Sequence, residues 1–167
     1  MLTTTAFEVH AIPADVTAAL RSRDDAGRAS RVVVDGDGGS PLRCCLRSSR
    51  PGERILLVSY APLRRWAASN GVDPGPYDET GPVFLHADEC AGPAHSGYPE
   101  DFRGSRRMLR AYTDDCRILA GRCVEPGDAP EPVIAELFAD GRVAVIHARA
   151  VEFGCFTFEI RRRSPLA

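Results

Sequence analysis

The chain has 167 residues, of which 44% are hydrophobic and 26% charged, and its net charge is −2. This is the composition of a globular protein with a sizeable core, and it excludes a disordered or fibrous chain. The slightly acidic balance argues against a nucleic-acid or membrane partner, because proteins that bind these polyanions carry a basic excess. No apolar run reaches the ~20 residues of a membrane-spanning helix. The N-terminus lacks a secretory signal, which predicts a cytoplasmic protein.

The basic residues are all arginines, and the sequence contains no lysine. Schiff-base chemistry and a phosphate-binding P-loop lysine are thereby excluded. The six cysteines form no CxxC pair, which argues against a zinc ribbon, a ferredoxin and a thioredoxin-like motif. In a reducing cytoplasm such cysteines are more often small buried residues than disulfides. They lie at positions 44, 45, 90, 116, 123 and 155.

The first half of the chain predicts alternating strands and helices. In chain order these are a strand in AFEVHAI, a helix over 13–23, a strand in SRVVVDGDGG, a hairpin in LRCCLRSSRPGERILLVSY and a helix in PLRRWAAS. Pro51 and Gly52 suit the middle of a type II turn. That turn would place Cys45 opposite Val58 across the hairpin. Cys44 would then point to the opposite face from Cys45, so the two thiols form no natural chelate.

The second half predicts mainly strands. In chain order the sequence indicates a strand in PVFLHA, a helix over 99–109, a hairpin in LRAYTDDCRILAGRCV, a helix in PVIAELFADG and a strand pair in RVAVIHARA and CFTFEIR. Tight turns join several of these strands, and only antiparallel neighbours can use such turns. We therefore predict a single α+β domain over 1–167, with a mainly antiparallel sheet and several short helices packed on it.

Four stretches together resemble a bacterial family known as "domain of unknown function 1203". The resemblance covers about residues 41–163 and is carried by PLRCCLRSSRPGERILLVSY, GPVFLHADEC, YPEDFRGSRRMLRAY and LFADGRVAVIHARAVEFGCFTFEIRR. It implies no established activity, cofactor or catalytic residue. The family pattern has a cysteine directly after the proline of the first stretch, where this chain has Leu42. A role for that cysteine would have to pass to Cys44 or Cys45.

The stretch GPVFLHADEC holds the first chemical candidates. In an extended strand His86 and Cys90 would lie about 13 Å apart, too far to share a metal unless the chain turns after the histidine. Asp88 is better placed to bond one imidazole nitrogen and orient the ring. Two loops that hold Tyr77 and Tyr98 flank the strand, which favours a binding site there. The alternative is a partly buried histidine that bonds a neighbour and has no chemical role.

Further candidates lie in two other strands. His147 and Arg149 alternate on one face of RVAVIHARA, next to Cys155 on the following stretch, and would form a polar wall unless a helix covers them. The alternative is that Cys155 packs as a small residue and Arg149 is solvated. Cys45 stands between two arginines, which would lower the pKa of its thiol. Arg47 is one of them.

The leading hypothesis is a small enzyme without an organic cofactor, acting on a small polar or anionic metabolite by proton transfer, as in an isomerase, cyclase or lyase. The proposed catalytic residues are His86, Asp88, Cys45 and Cys155; the proposed substrate-binding residues are Arg47, Arg149, His147, Tyr77 and Tyr98. No residue is assigned to a metal. The alternatives are a non-catalytic ligand-binding or interaction module, and a mononuclear metal site drawn from His86, Cys90, His95 or His147. An exposed apolar sheet face would favour a homodimer.

Overall fold

The computed structural model describes residues 6–164, which form two five-stranded sheets and three helices. The strands are β1 (Phe7–His10), β2 (Arg31–Asp35), β3 (Pro41–Leu42), β4 (Arg47–Ser48), β5 (Glu53–Tyr60), β6 (Gly81–His86), β7 (Arg107–Tyr112), β8 (Ile118–Val124), β9 (Val145–Ala150) and β10 (Phe156–Arg162). The helices are α1 (Ala14–Ser22), α2 (Pro62–Asn70) and α3 (Pro130–Ala139). The predicted α+β class is confirmed, with the strands divided between two sheets. None of the helices within 6–164 is long and apolar enough to cross a membrane.

The first sheet has the strand order β1-β10-β9-β7-β8, and each neighbouring pair is antiparallel. Alternate residues of its central strands face a core that includes Leu109, Ile146 and Phe158, all fully buried. Helix α3 adds Ile134 to the same core. The predicted hairpin of β7 and β8 and the predicted final strand pair are both confirmed.

The second sheet has the order β2-β5-β6-β3-β4 and carries the candidate site. Its neighbours are antiparallel except for β3 and β6, which run parallel and meet at Leu42 and Phe84. Helix α1 packs on this sheet through Leu20. Phe156 of the first sheet also enters this core. The two sheets therefore share side chains near the start of β10.

The hairpin predicted around Pro51 and Gly52 is only partly correct. Gly52 has the left-handed φ of +84° that the turn requires, and the N–H of Glu53 closes the turn on the Arg50 carbonyl at 3.1 Å. However, β4 pairs with β3, and β5 pairs with β2 and β6. The predicted partnership of Cys45 with Val58 is wrong, because the chain turns at 43–46 instead of extending.

The helix predicted over 99–109 is also wrong. A single 3₁₀ turn spans Glu100–Phe102, and β7 begins at Arg107. Gly104 lies between them with a φ of +75°, a conformation that interrupts a helix. Arg107, Leu109 and Ala111 are buried and the two residues between them are less so, which is the alternation of a strand.

Candidate functional site

A tight turn between β3 and β4 places two adjacent cysteines. The N–H of Leu46 donates to the Leu42 carbonyl at 2.9 Å, and Leu46 has a φ of +59°. A branched side chain with positive φ is strained and is held only where its surroundings fix it. Leu46 is buried in the core of the first sheet. Because the backbone turns here, Cys44 and Cys45 do not point to opposite faces as in a strand.

The buried guanidinium of Arg43 fixes this turn to both sheets. Its Nε donates to the Phe156 carbonyl at 2.8 Å, and its Nη1 donates to the Pro41 carbonyl at 2.5 Å. Only 4% of the residue is exposed. Burial lowers the pKa of Arg43 to about 10, so the side chain remains charged at neutral pH. The turn is therefore held in place by charge-assisted bonds to carbonyl groups.

His86 ends β6 directly beside the turn. Its Nδ1 lies 3.4 Å from Cys44 Sγ and 3.7 Å from Cys45 Sγ. Its backbone N–H also donates to Cys44 Sγ, at 3.3 Å. The chain bends immediately after the strand, at 87–88, and brings Cys90 back towards the ring. The distance of about 13 Å that an extended strand would impose on His86 and Cys90 therefore does not occur.

The four donor atoms form one compact cluster. The three sulfurs and one ring nitrogen of the Cys/His cluster all lie within 4.8 Å of one another, and they come from Cys44, Cys45, His86 and Cys90. A tetrahedral zinc with bonds of 2.3 Å to sulfur and 2.0–2.1 Å to nitrogen has edges of about 3.6 Å between sulfur and nitrogen and about 3.8 Å between sulfurs. The two distances from sulfur to nitrogen, 3.4 and 3.7 Å, are close to that edge, whereas separations of up to 4.8 Å elsewhere in the cluster would have to shorten around an ion.

The other ring nitrogen of His86 contacts an ion pair. Arg47 Nη2 lies 2.9 Å from His86 Nε2, and Glu53 Oε1 lies 3.5 Å from the same atom. Arg47 also binds both carboxylate oxygens of Glu53, at 2.6 and 3.0 Å. When Nδ1 carries the proton, Arg47 can donate to Nε2. When Nε2 carries it, the N–H can donate to Glu53 and leaves Nδ1 bare towards the sulfurs.

The two thiols of the turn differ in acidity. The hydrogen bond between them raises the pKa of Cys44, with burial adding to the effect, and the same bond lowers the pKa of Cys45. Burial opposes the change at Cys45, whereas the Arg47 backbone N–H and the charges of His86 and Arg47 add to it. The hydrogen bond from Arg47 also lowers the pKa of Glu53 to about 2. The pair is thus polarised, with Cys45 the more acidic of the two thiols.

Two cavities adjoin the cluster from different sides. One of about 320 Å³ is lined by Cys45 and Arg47 together with the loop that carries His95. The other, of about 300 Å³, is lined by Cys44 and Cys90 together with the start of α1. A small polar molecule would fit the first cavity, where its walls include both a sulfur and a guanidinium.

The structure does not support the predicted contact between Asp88 and His86. The Asp88 carboxylate binds Arg54 at 3.1 Å, and the Asp88 backbone carbonyl accepts a bond from Arg21 at 2.9 Å. The bend after β6 directs this side chain outward, where 69% of it is exposed. Glu53 is the carboxylate that stands next to the ring.

His147, on β9, and Tyr98, on the loop before β7, are both buried against the first sheet. His147 is completely buried, its Nε2 lies 3.1 Å from Glu159 Oε2, and its ring contacts Tyr112 and Phe156. Tyr98 is 3% exposed and makes an edge contact with an aromatic ring of β10. The polar wall predicted around His147 is therefore wrong, because this face is covered.

The remaining predicted residues lie apart from the cluster. Arg149 binds Glu79 at 2.8 Å, and with Cys155 it lines a separate cavity of about 210 Å³. Tyr77 is 37% exposed on a 3₁₀ turn. Of the histidines considered for a metal besides His86, His95 is exposed and accepts a bond from the N–H of Gly97.

The structure brings together three of the predicted site residues, namely His86, Cys45 and Arg47. Sequence reasoning missed Cys44 as their neighbour, and it missed Glu53 altogether. The spacing of four residues from His86 to Cys90 signalled a ligand pair, given a bend between them. Nothing in the sequence identified Glu53, because its position depends on the pairing of β5 with β6.

A family model described as "Protein of unknown function (DUF1203)" matches residues 39–162. The chain belongs to this family. Neither a curated protein nor a solved structure matches it. The part matched by the DUF1203 model contains all four members of the Cys/His cluster. Leu42, at the position where the resemblance implied a cysteine, is fully buried in the apolar core of the second sheet. Cys44 supplies a thiol two residues later.

Proposed function

We propose that this chain is a metalloprotein that binds one zinc ion through Cys44, Cys45, His86 and Cys90. The observation that carries the proposal is the convergence of three sulfurs and an imidazole nitrogen within 4.8 Å. Three thiolates and one imidazole favour zinc over magnesium and calcium, which prefer oxygen ligands. Four protein ligands leave no open position, which is typical of a structural site.

The surroundings of the cluster suit a bound cation with three thiolates. Metal-bound histidines usually donate their other N–H to a carboxylate or carbonyl. Glu53, 3.5 Å from Nε2, can accept it once Arg47 Nη2 moves from its contact of 2.9 Å with the same nitrogen. A backbone N–H also supports one of the sulfurs, because His86 donates to Cys44 Sγ at 3.3 Å. A zinc site with three thiolates has a net charge of −1. The guanidinium of Arg47 lies beside it, but Glu53 already pairs with that guanidinium, so the site and the ion pair together keep a charge of −1.

The proposal is tested by zinc content and stability. We expect about one zinc per chain after purification with zinc present, and a fall in melting temperature when a chelator removes it. Cys44→Ser and Cys90→Ser should each lose most of the zinc. Cys123→Ser is the matched control, because Cys123 lies on β8 of the other sheet and should leave zinc content unchanged. Zinc below about a tenth of stoichiometry in the unaltered chain would reject the site.

The second candidate function is an enzyme that performs acid/base chemistry on a small polar or anionic metabolite. The observation that favours it is the 320 Å³ cavity lined by Cys45 and Arg47. In this proposal His86 moves a proton, Cys45 is the nucleophile or a bystander, and Glu53 replaces Asp88 as the group that orients the ring. Because Arg47 already binds Glu53, its main role in this proposal is to position His86, and binding of a substrate is secondary.

The two candidates differ in their dependence on Cys90. A metal site needs this thiol, whereas the enzyme proposal does not use it. Ligand screening by thermal shift would use carboxylate and phosphate metabolites against the unaltered chain, His86→Ala and Cys90→Ser. The enzyme proposal requires a ligand response that His86→Ala loses and Cys90→Ser keeps. Loss of the response in both variants, together with loss of zinc, favours the metal site.

We also propose that the protein works in the reducing cytoplasm. All six cysteines are free, and zinc ligation as well as a reactive thiolate requires reduced sulfur. Fractionation of cells that express the untagged chain tests this. Recovery of the protein with extracellular or membrane markers would contradict the proposal.

A further inference from the structure

Strand β2 exposes a row of valines at the open end of the second sheet. Val32, Val33 and Val34 are 48%, 39% and 62% exposed, although adjacent residues of a strand point to opposite faces. β2 pairs with β5 on one side. On its other side no strand within residues 6–164 pairs with it. An uncovered, apolar edge of this kind is a template for pairing with another chain.

The charges along this edge are arranged in a self-complementary order. Arg31 begins the strand, Asp35 ends it, and Asp37 follows in the loop. Asp35 is half-buried, and its carboxylate accepts bonds from the Gly38 N–H at 3.0 Å and the Ser49 hydroxyl at 2.5 Å. Arg31 and Asp37 are exposed, and neither side chain forms an ion pair or hydrogen bond with another residue of the described part. The edge is therefore basic at its start, apolar in its centre and acidic at its end. An antiparallel copy of the same edge presents the reverse order.

We propose that a second copy of this chain pairs with β2 in an antiparallel manner about a two-fold axis at Val33. In this register Val33 lies opposite its own copy, and Val32 lies opposite Val34 of the partner subunit. Arg31 lies opposite Asp35 of the partner subunit. Opposite charges that face each other across antiparallel strands stabilise the pair, as do β-branched residues. A two-fold contact closes on itself and leaves no edge for further growth.

An axis at Val32 would place Arg31 opposite Val33 of the partner subunit and leave it without an acidic neighbour. An axis at Val34 would place Arg31 opposite Asp37 of the partner subunit but Asp35 opposite a valine, so the axis at Val33 is the one that pairs both charged ends of the strand. Leu57 of β5 is 47% exposed and lies directly opposite Arg31 on the neighbouring strand, so it adds to the apolar surface next to the proposed contact. The two second sheets would then form one continuous sheet of ten strands. Because one strand pair is a small interface, the association should be weak.

The free edges of the two sheets differ, and this supplies a control. β8 ends the first sheet and exposes Ile118 at 43%. However, its outer residues include Gly121 and Arg122, and Arg122 binds Glu136 of α3. Such features protect a strand edge from pairing. A charge placed at Ile118 thus has the same chemical effect as one at Val33 without touching the proposed interface.

Sedimentation of the full chain tests the proposal. The expected mass at high protein concentration is twice the 18.1 kDa of one chain. Val33→Lys should restore the mass of a single chain, because it places two like charges together on the axis. Ile118→Lys should leave the doubled mass unchanged. A single-chain mass up to about 1 mM protein, or a doubled mass that persists in Val33→Lys, would overturn the proposal.

A cross-link tests the register independently of stability. In Val33→Cys the new thiols of two copies would face each other on the axis and form a disulfide when diamide is supplied as the oxidant. Peptide mapping by mass spectrometry should then find residue 33 joined to itself. Ile118→Cys should form no such dimer. If Val33→Cys cross-links only to native cysteines, or no faster than Ile118→Cys, the two-fold pairing at Val33 is rejected.

Discussion

Cys44 and His86 are joined twice, once through the backbone and once through the side chain. The backbone N–H of His86 donates to Cys44 Sγ at 3.3 Å, and the ring Nδ1 lies 3.4 Å from the same sulfur. The first bond ties the turn at 43–46 to the end of β6. Because the backbone bond fixes Cys44 Sγ beside His86, it also fixes the distance from this sulfur to the imidazole Nδ1 of the same residue. The geometry of the cluster is therefore set by backbone pairing before any ion is bound.

Glu53→Gln should weaken zinc binding without abolishing it. The carboxylate lies 3.5 Å from His86 Nε2 and binds Arg47 with both oxygens. Loss of a group that orients a metal-bound histidine typically costs 10–100-fold in affinity. Competition with a chromophoric chelator measures this. Glu125→Gln is the control, because Glu125 forms a comparable ion pair with Arg106 on the other sheet. Equal affinities in both variants would mean that Glu53 does not act on the ring.

Cys45 should be the first thiol of the cluster to react with iodoacetamide in chelator-treated protein. It lines the open cavity, and its bond with Cys44 lowers its pKa while raising that of Cys44. Cys44 is only 4% exposed. We expect Cys45 to react at least about tenfold faster at neutral pH, as followed by peptide mass spectrometry. Added zinc should slow the reaction of Cys45 but not that of Cys123. Equal rates at Cys44 and Cys45 would contradict the polarisation of the pair.

Much of the fold was predictable because its signals are local. The α2 helix ends at Asn70 and is capped by Gly71 with a φ of +67°, and the Pro51–Gly52 turn occurs where those residues indicate it. Strands β9 and β10 follow from alternation alone. The predicted pairing of Cys45 with Val58 and the predicted helix over 99–109 are both wrong because the backbone turns at a residue that the sequence pattern places in a strand or a helix. These residues are Leu46 and Gly104. Leu46 has a positive φ that no propensity predicts for leucine.

The candidate site was only partly predictable for the same reason. His86, Cys45 and Arg47 were predicted as site residues, and the structure places them together. Strand alternation would turn Cys44 away from Cys45, so the sequence pattern does not predict that both thiols belong to the site. The contact of Glu53 with His86 depends on β5 lying beside β6, which is a non-local pairing. Long-range register of this kind is not encoded in the spacing of one segment.

Arg43→Ala should destabilise the protein strongly. The side chain is buried and bonds two carbonyls, one of them from β10. Its removal leaves these acceptors unsatisfied and opens a cavity, for a loss of about 3 kcal/mol in the free energy of unfolding. Urea titration followed by circular dichroism measures this. The exposed Arg50, whose side chain has no bond within the described residues, is the control, and Arg50→Ala should change stability by less than about 0.5 kcal/mol. Similar losses in the two variants would show that Arg43 does not hold the turn.

Glu159 should contribute stability that disappears in acid. Burial alone would raise its pKa, but the bond from His147 and the charges of His147 and Arg161 outweigh burial and lower the pKa below the ordinary 4.5. A carboxyl group whose pKa is lower in the folded than in the unfolded state stabilises the protein at pH values above its unfolded pKa. That contribution is lost as the pH falls through the folded pKa. Glu159→Gln should therefore cost about 2 kcal/mol near pH 7 and progressively less below pH 4.5.

Urea unfolding of the unaltered protein and of Glu159→Gln, at several pH values between neutral and acid, measures this difference in the free energy of unfolding. The exposed Glu136 provides the control, since Glu136→Gln removes a carboxylate from a surface ion pair that water screens. Its effect should be small at every pH. A deficit in Glu159→Gln that stays constant into acid would mean that the glutamine disturbs packing around His147 and that the charge of Glu159 adds nothing.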